Sequence, residues 1–502
     1  MMSDIEFEGQ DDGSSKDNPG VLPASDTDGP RPNAIYSDPV DVVGDQASAY
    51  RQATYRIALP SIPLVDFNAK LIEFNKLNIT EVTDELKNWR KVTEEAVDYY
   101  TPGGLYQDRL TDPKSEFLQG VKGPDDQLKS LSNLKFKKTD GELKGEIALL
   151  KVSKMLGLGD VISVPLPHSG IWVTIKPATE RDLIDFYNSL FREKIMLGRT
   201  TFGLTLSNFS VHINDRLFDF ILRHIHSVNF SDIPKEQLRN YLSIHDFPIL
   251  AWGFACTMYP NGFDYKRPCV EDIEKCTHIT EAVLNLTKLL WVDNKSLTEV
   301  QRNILSENRP NKHTVEVYRK YMAEHTRVVN NSFTSKNGIK FHLKVPTFNE
   351  YTADGLAWIS RINTAVSNVI LESGDEEEAK TELLNQYVKS SVLRQFNHFV
   401  DYIEFDDNVV NDRDTINQLL EVFSSDDDLR SEVTGEILKF KTNTTIALIG
   451  LPEYKCPNPS CGAPQNPNPV SEKFTSVIPL DTINVFFVTL TYRISKILER
   501  EV

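Results

Sequence analysis

The stretch DVISVPLPHSGIWVTIKPATERDLIDFYNSL, residues 160–190, combines the signals of a hairpin with those of a helix. Val161–Pro165 and Ile171–Ile175 are short apolar runs that flank the turn-forming sequence Pro167–Gly170. This pattern predicts two strands joined by a tight turn. Thr179 then precedes two acidic residues, which favours a helix start because the helix dipole stabilises negative charge in the first turn. The sequence therefore predicts a β-hairpin that leads directly into a helix.

The turn of this hairpin places Ser169 directly after His168. Neighbours on a tight turn rarely orient a histidine base onto a serine nucleophile, so we expect the pair to serve the turn itself. The chain contains no P-loop, no G-x-G-x-x-G after a strand, no H-E-x-x-H and no G-x-S-x-G motif. We therefore predict no catalytic residues and no bound organic cofactor.

Charge and hydropathy exclude several classes of protein. The chain has 502 residues and a net charge of −17, whereas nonspecific nucleic-acid binding requires a clustered basic surface. It contains no apolar run of 18 residues and begins with an acidic segment, so we expect neither a membrane span nor a signal peptide. Five cysteines are too few for a disulfide framework. We expect a globular protein made in a cytoplasm, where paired cysteines are more often metal ligands.

Two cysteine pairs carry the strongest chemical prediction. Cys269 and Cys276 lie in RPCVEDIEKCTH, and Cys456 and Cys461 lie in YKCPNPSCGAP, where Pro457, Pro459 and Gly462 favour a rigid turn. A structural zinc ion takes four tetrahedral ligands, and two such turns can share one ion. The C-x6-C spacing of the first pair is wider than usual. We predict one Zn²⁺ bound by all four thiolates, a structural site because no coordination position stays open.

Other candidate ligands are weaker. Cys256 lies in the apolar stretch WGFAC and is expected to be a core thiol, although it and His278 could replace a missing ligand. His224 and His226 are two residues apart on a predicted helix and therefore cannot share a face. We expect no joint metal site from that pair.

We assign the chain to the α+β class and divide it into five regions. Residues 1–52 are expected to form a disordered acidic arm, since the first 50 residues contain 11 acidic and two basic residues without periodicity. Whether the arm only solvates the protein or orders against a neighbouring subunit is left open by the sequence. The other regions are a mainly helical adaptor (53–160), an α+β region with the first cysteine pair (161–345), a helical insertion (346–440) and a C-terminal ribbon with the second pair (441–502).

Several elements outside the hairpin are predicted from hydrophobic periodicity. Ser373 and Glu376 form a capping box that opens a long helix, which we expect to continue through Tyr402. This helix and the one before it would form an inserted helical layer on a unit stapled by zinc. The remaining predictions are a helix over 214–227, a strand over 339–345, a helix over 354–371 and a strand over 445–451.

Several short motifs follow one another along the chain: Leu166–Gly170, Pro177–Leu183, Tyr259–Phe263, Ile478–Phe487 and the four paired cysteines. Their order resembles the baseplate hub components of contractile-tailed, T-even-like bacteriophages. The resemblance covers residues 160–300 and 440–490. It departs from that pattern in the wide first cysteine pair, in the acidic arm and in the helical region before the hairpin.

What the resemblance implies is a non-enzymatic structural subunit of the virion. It would join the tail tube or hub to the surrounding baseplate proteins within a symmetric hetero-oligomeric assembly, and it would be built in the host cytoplasm. Two alternatives from other classes stay open. One is a zinc-ribbon adaptor of a cellular multiprotein complex, which the net charge disfavours, and the other is an enzyme with an unrecognised site.

Overall fold

The computed structural model describes the larger part of the chain from residue 112 onwards. The described residues are 7–8, 112, 114–122, 128–129, 135–136, 145–155, 159–190, 206–259, 262–268, 278–307, 311–324, 329–367, 383, 392–406, 408–452, 458–459, 477–480, 482–483, 486–487 and 490.

These residues form helices and antiparallel sheets, which confirms the α+β class. The strands are β1 Phe7–Glu8, β2 Phe117–Gln119, β3 Val121–Lys122, β4 Leu128–Lys129, β5 Lys135–Phe136, β6 Ile162–Leu166, β7 Ile171–Ile175, β8 Ile225–Val228, β9 Phe263–Pro268, β10 Ile279–Leu284, β11 Leu290–Asp293, β12 Ser332–Thr334, β13 Lys340–Leu343, β14 Val400–Phe405, β15 Asn408–Val410, β16 Ala447–Pro452 and β17 Val477–Pro479. The α-helices are α1 Glu146–Met155, α2 over 180–190, α3 Leu206–His224, α4 Phe247–Met258, α5 Glu299–Leu305, α6 Val315–Ala323, α7 Phe348–Ser367, α8 Arg413–Phe423 and α9 Asp427–Thr444. Short 3-10 helices cover Lys235–Asn240, Ile244–Asp246, Leu286–Lys288, Asn294–Ser296 and Val392–Phe399.

The predicted hairpin is present as β6 and β7, and β8 extends it to a three-stranded antiparallel sheet. Pro165 is tolerated in β6 because this strand lies at the sheet edge, where its missing N–H breaks no ladder bond. The side chain of Thr179 accepts a hydrogen bond from the Asp182 N–H, and the Thr179 hydroxyl donates to the Asp182 carboxylate at 2.6 Å. The predicted capping of α2 by Thr179 is therefore confirmed.

Helices α3 and α4 pack against this sheet and form the first hydrophobic core. The predicted helix over 214–227 lies within α3 up to His224, and its predicted apolar face is buried at Leu217, Phe220 and Ile221. Helix α4 is apolar on every side and nearly all of its residues are buried. Gly253 brings it close to β6, because a Cβ at this position would lie 2.4 Å from the Val164 methyl group.

The far C-terminal residues complete the first core. Leu480, Phe486 and Leu490 are buried within it, and the Phe486 ring lies 5.8 Å from Phe254 of α4 and 6.4 Å from Phe186 of α2. Each fully buried side chain of this size stabilises the fold by about 1.5–3 kcal/mol. The end of the described chain is therefore part of the same core as the hairpin.

A second core lies between the sheet β12-β13-β14-β15 and helices α8 and α9. The predicted strand over 339–345 is present as β13, but the long helix predicted to reach Tyr402 is wrong at its end, because residues 400–405 form β14. This segment alternates buried and accessible side chains, and Ile403 pairs with Phe341 of β13. Strand pairing decides its structure, so the layer predicted over 346–440 is only partly helical among its described residues.

Four strands from distant parts of the chain form a further sheet, in the order β17-β16-β11-β2. The predicted strand over 445–451 is present as β16, which runs antiparallel to β11 with Leu290 opposite Ile449. Strand β2 pairs with the other side of β11 and belongs to the region predicted as mainly helical, of which α1 is a described helix. The sheet joins the start of the described core to its end.

Part of the predicted acidic arm is described. Phe7–Glu8 form β1, which pairs antiparallel with β5. The remainder of residues 1–52, together with Ser373 and Glu376, lies outside the described residues, so the arm and the capping box stay predictions. None of the described helices is long and apolar enough to span a bilayer.

Replacing Gly170 with alanine is expected to lower the free energy of unfolding by about 3 kcal/mol. A left-handed residue with a side chain costs about 1–2 kcal/mol, and overpacking adds about 1–3 kcal/mol. Gly170 has φ +72°, and a Cβ there would lie 2.6 Å from the Tyr321 ring. Gly338→Ala is the matched control, since φ is +81° and no atom lies within 4 Å. Urea unfolding measures both variants, and equal losses would contradict close packing of Tyr321 on the turn.

Candidate functional site

The turn between β6 and β7 is bound to a buried carboxylate at the start of α4. Asp246 Oδ1 accepts hydrogen bonds from the His168 backbone N–H at 3.0 Å and from the His168 ring Nδ1 at 2.8 Å. Asp246 Oδ2 accepts from the Ser169 backbone N–H at 2.7 Å and from the Ser169 hydroxyl at 2.6 Å. Asp246 is fully buried, and these four bonds hold it as an acceptor on both oxygens. We call His168, Ser169 and Asp246 the buried junction.

The sequence positions Asp246 through the helix that follows it. Asp246 is the N-cap residue of α4, and Pro248 in the first turn of the helix is compatible with a helix start. The positive end of the helix dipole favours a carboxylate at this position. The first core encloses the junction, which strengthens each hydrogen bond and makes an unpaired group costly.

His168 extends the junction to the C-terminal part of the chain. Its Nε2 accepts a hydrogen bond from the Ile446 backbone N–H at 2.9 Å. Because Nε2 is an acceptor, the proton of the neutral ring is on Nδ1 and is donated to Asp246. The junction therefore connects the hairpin, the start of α4 and the residue before β16.

A second histidine reinforces the connection. The His245 ring lies 5.1 Å from the His168 ring, and its Nε2 lies 2.9 Å from the Thr444 hydroxyl oxygen at the end of α9. Burial lowers the pKa of His245 well below its usual value, and the positive charge of Lys441 acts in the same direction. His245 is therefore a neutral ring that joins the first core to the last helix of the second core.

The geometry of the junction differs from a nucleophile–base arrangement. The Ser169 hydroxyl donates to Asp246 and accepts from the Ser243 backbone N–H at 2.8 Å, so it makes no bond to His168. His168 Nε2, which would act as the base, is occupied by the Ile446 N–H. His168 and Ser169 lie in the predicted turn, but their side chains bind Asp246, Ser243 and Ile446 in distant segments, which differs from the predicted use within the turn itself.

The four predicted zinc ligands, Cys269, Cys276, Cys456 and Cys461, lie outside the described residues. Among the residues that are described, no group of three or more histidine, cysteine, aspartate or glutamate side chains could hold a metal ion. That finding does not concern the four cysteines, so the zinc site stays a prediction.

The remaining candidate ligands are described. Cys256 is fully buried in α4, where burial raises the pKa of its thiol well above the usual value, which confirms it as a core thiol. His224 ends α3 with its Nδ1 2.8 Å from the Phe220 carbonyl oxygen, whereas His226 lies in β8. The helix predicted over 214–227 therefore ends at His224, and the two histidines belong to different elements.

Sequence reasoning missed Asp246. The stretch Ser243–Pro248 contains N-cap residues ahead of a proline, which could have identified Asp246 as a helix start. Its partners lie 77 and 78 positions away in the sequence, and no local pattern indicates them.

Comparison of the chain with protein-family models, with curated proteins and with solved structures finds no match. The geometry of the described residues and the sequence motifs are therefore the basis for any functional assignment.

Replacing Asp246 with asparagine is expected to lower the free energy of unfolding by about 3 kcal/mol or more, because the NH₂ group would face two hydrogen-bond donors whichever way the amide is turned. Asp185→Asn is the control. Asp185 is 69% exposed and pairs at 3.7 Å with an exposed Arg181, so its replacement should change stability by less than about 0.5 kcal/mol. Chemical denaturation compares the variants, and similar stabilities would show that the junction contributes little.

Proposed function

We propose that this chain is a non-enzymatic structural protein of a contractile phage tail baseplate, in the hub region, and that a four-thiolate zinc site stabilises it. In this role it links the tail tube or hub to the surrounding baseplate proteins. Its partners are other baseplate and tail proteins within a symmetric hetero-oligomeric assembly. It reaches the virion after synthesis in the host cytoplasm.

The observation that carries the proposal is that the motifs of the resemblance meet in one core. They are separated by up to about 300 residues of sequence, yet the four motifs other than the cysteine pairs contribute side chains to the first core. The contributing residues are Leu166, Leu183, Tyr259, Leu480 and Phe486. The motifs of a common fold would pack together in this way.

The described strands give support for the zinc site. The first cysteine pair belongs to the connection between β9 and β10, which pair in register from Phe263–Leu284 to Pro268–Ile279. The second pair belongs to the connection between β16 and β17. Because β16 is antiparallel to β11, its end at Pro452 points towards the residues that enter β11 from β10.

The reach of the two connections follows from their lengths. Four residues separate Cys456 from Pro452, a reach of at most about 14 Å for an extended chain. The β9–β10 hairpin has six residues in each strand, which corresponds to about 20 Å. The described residues next to the two connections, β10 and Pro452, lead to the same end of β11.

The hydrogen bonds of the buried junction and the net charge of the chain also support a structural role. The buried junction uses a serine, a histidine and an aspartate entirely for hydrogen bonds between distant segments. The charge of −17 favours protein partners over nucleic acid.

If the proposal is correct, purified phage particles contain this chain at the baseplate end of the tail, and deletion of its gene gives particles without complete baseplates. Mass spectrometry of particles and electron microscopy with an antibody label measure the two outcomes. Absence of the chain from particles would overturn the proposal. Cross-linking to nucleic acid in uninfected cells would favour the cellular adaptor, and turnover of peptidoglycan by purified protein would favour an enzyme.

The zinc site is tested separately. Purified protein is expected to contain about one zinc ion per chain by elemental analysis, because four thiolates complete a structural site. Cys456→Ser should remove the zinc and lower the yield of soluble protein. Cys256→Ala is the control: it removes a buried core thiol and should leave the zinc content unchanged. Wild-type protein without zinc would refute this part of the proposal and leave the virion assignment to the particle experiment.

A further inference from the structure

The second core contains a group of charged and polar side chains that its hydrophobic packing does not explain. We call this group the arginine seam. It has three arginines and two carboxylates, and so carries one excess positive charge. The members are Asp354 and Arg361 of α7, Arg394 and Asn397 of the 3-10 helix Val392–Phe399, and Arg413 and Glu421 of α8.

At one end of the seam the arginine is paired with groups of the seam itself. Arg413 donates through Nη2 to the Asn397 carbonyl oxygen at 2.8 Å and to an Asp354 carboxylate oxygen at 3.1 Å. The Asn397 side-chain NH₂ donates to the same Asp354 oxygen at 3.2 Å. These contacts fix the 3-10 helix between α7 and α8, although the Asn397 Oδ1 atom has no hydrogen-bond partner among the described residues.

The other end of the seam is under-satisfied. The Arg394 side chain is only 4% exposed, and its Nε lies 3.4 Å from Glu421 Oε1 without hydrogen-bond geometry. Its Nε and Nη1 have no hydrogen-bond partner among the described residues. Buried polar groups are nearly always hydrogen-bonded, so these donors require an explanation.

Glu421 does not supply what Arg394 lacks. The same Oε1 atom lies 3.5 Å from Arg361 Nη1, so two guanidinium groups share one carboxylate oxygen. Both distances exceed the 2.7–2.9 Å that charge-assisted N–H···O bonds prefer. Burial lowers the pKa of Arg394, and the charge of Glu421 opposes this effect.

The unsatisfied end is accessible from solvent. Arg361 is 62% exposed and Glu421 is 36% exposed, whereas Arg394 lies behind them. An anion could therefore approach Arg361 from outside and reach Arg394 by displacing or joining Glu421.

We propose that Arg361 and Arg394 form a binding site for a carboxylate group of a ligand. A single carboxylate would balance the excess charge of the seam and present two oxygens to guanidinium groups, whose planar donor sets match that geometry. The group is either a small free carboxylate or an aspartate or glutamate side chain of a polypeptide. The site does not depend on the virion assignment.

The test uses the full-length protein at constant ionic strength. Acetate is titrated against a chloride reference by calorimetry, and fluorescein-labelled hexaglutamate is titrated by fluorescence anisotropy. We expect at least one of these probes to bind. Arg361→Gln should weaken binding about tenfold or more, as loss of a hydrogen bond to a charged group does. Arg319→Gln is the control, because Arg319 is 63% exposed and also pairs with a glutamate, at 3.9 Å.

A second variant separates ligand binding from a structural ion pair. Glu421→Gln removes the internal carboxylate that competes for Arg394, so it should strengthen acetate or hexaglutamate binding. Weakened or unchanged binding in the Glu421→Gln variant would overturn the site. Two other results would also overturn it: neither probe binds the wild type, or Arg361→Gln and Arg319→Gln bind equally. Binding of hexaglutamate alone would identify a polypeptide ligand, and acetate binding of similar strength per carboxylate would identify a small one.

Discussion

The buried carboxylate of Asp246 is the constraint on which the described fold depends. A charged group removed from water is unfavourable unless hydrogen bonds replace its hydration. Here four donors do so, all from His168 and Ser169, and the helix that begins at Asp246 adds its dipole. Since the donors belong to a turn and the acceptor to a helix start, the hairpin and α4 can occupy only one relative position in which every group is satisfied.

The same constraint reaches the second core through two histidines. His168 binds the backbone of Ile446, and His245 lies within hydrogen-bonding distance of Thr444. Both contacts fall where α9 ends and β16 begins. The last helix of the second core is therefore fixed at the point where the chain returns to pair with β11. Displacement of α9 would strain a junction in the first core, so the two cores are coupled through a few polar contacts.

Local patterns predicted the elements whose signals are contained in a short segment. The hairpin of β6 and β7, the cap at Thr179, α3, β13 and β16 follow from periodicity and turn residues. The partner of Asp246 could not be predicted, because a hydrogen bond across 78 positions leaves no periodic trace. β14 was missed for a related reason. The helix predicted from the capping box at Ser373 was expected to continue through Tyr402, but pairing with β13 makes Val400–Phe405 a strand. The arginine seam was also invisible, because its members come from three elements.

The path of the chain explains how a long excursion between β11 and β16 is compatible with their pairing. The loop-closure cost rises only slowly with length, and a segment that folds on itself shortens the effective loop. The second core is such a segment, because it folds between β11 and β16. The pairing of Leu290 with Ile449 therefore joins the two ends of a segment that is already folded. The contact of Ile446 with His168 then holds the start of β16 from the first core. The proposed zinc ion, bound beyond Pro452, would hold the other end of β16. The observed contact with His168 and the proposed zinc site would then fix opposite ends of one strand.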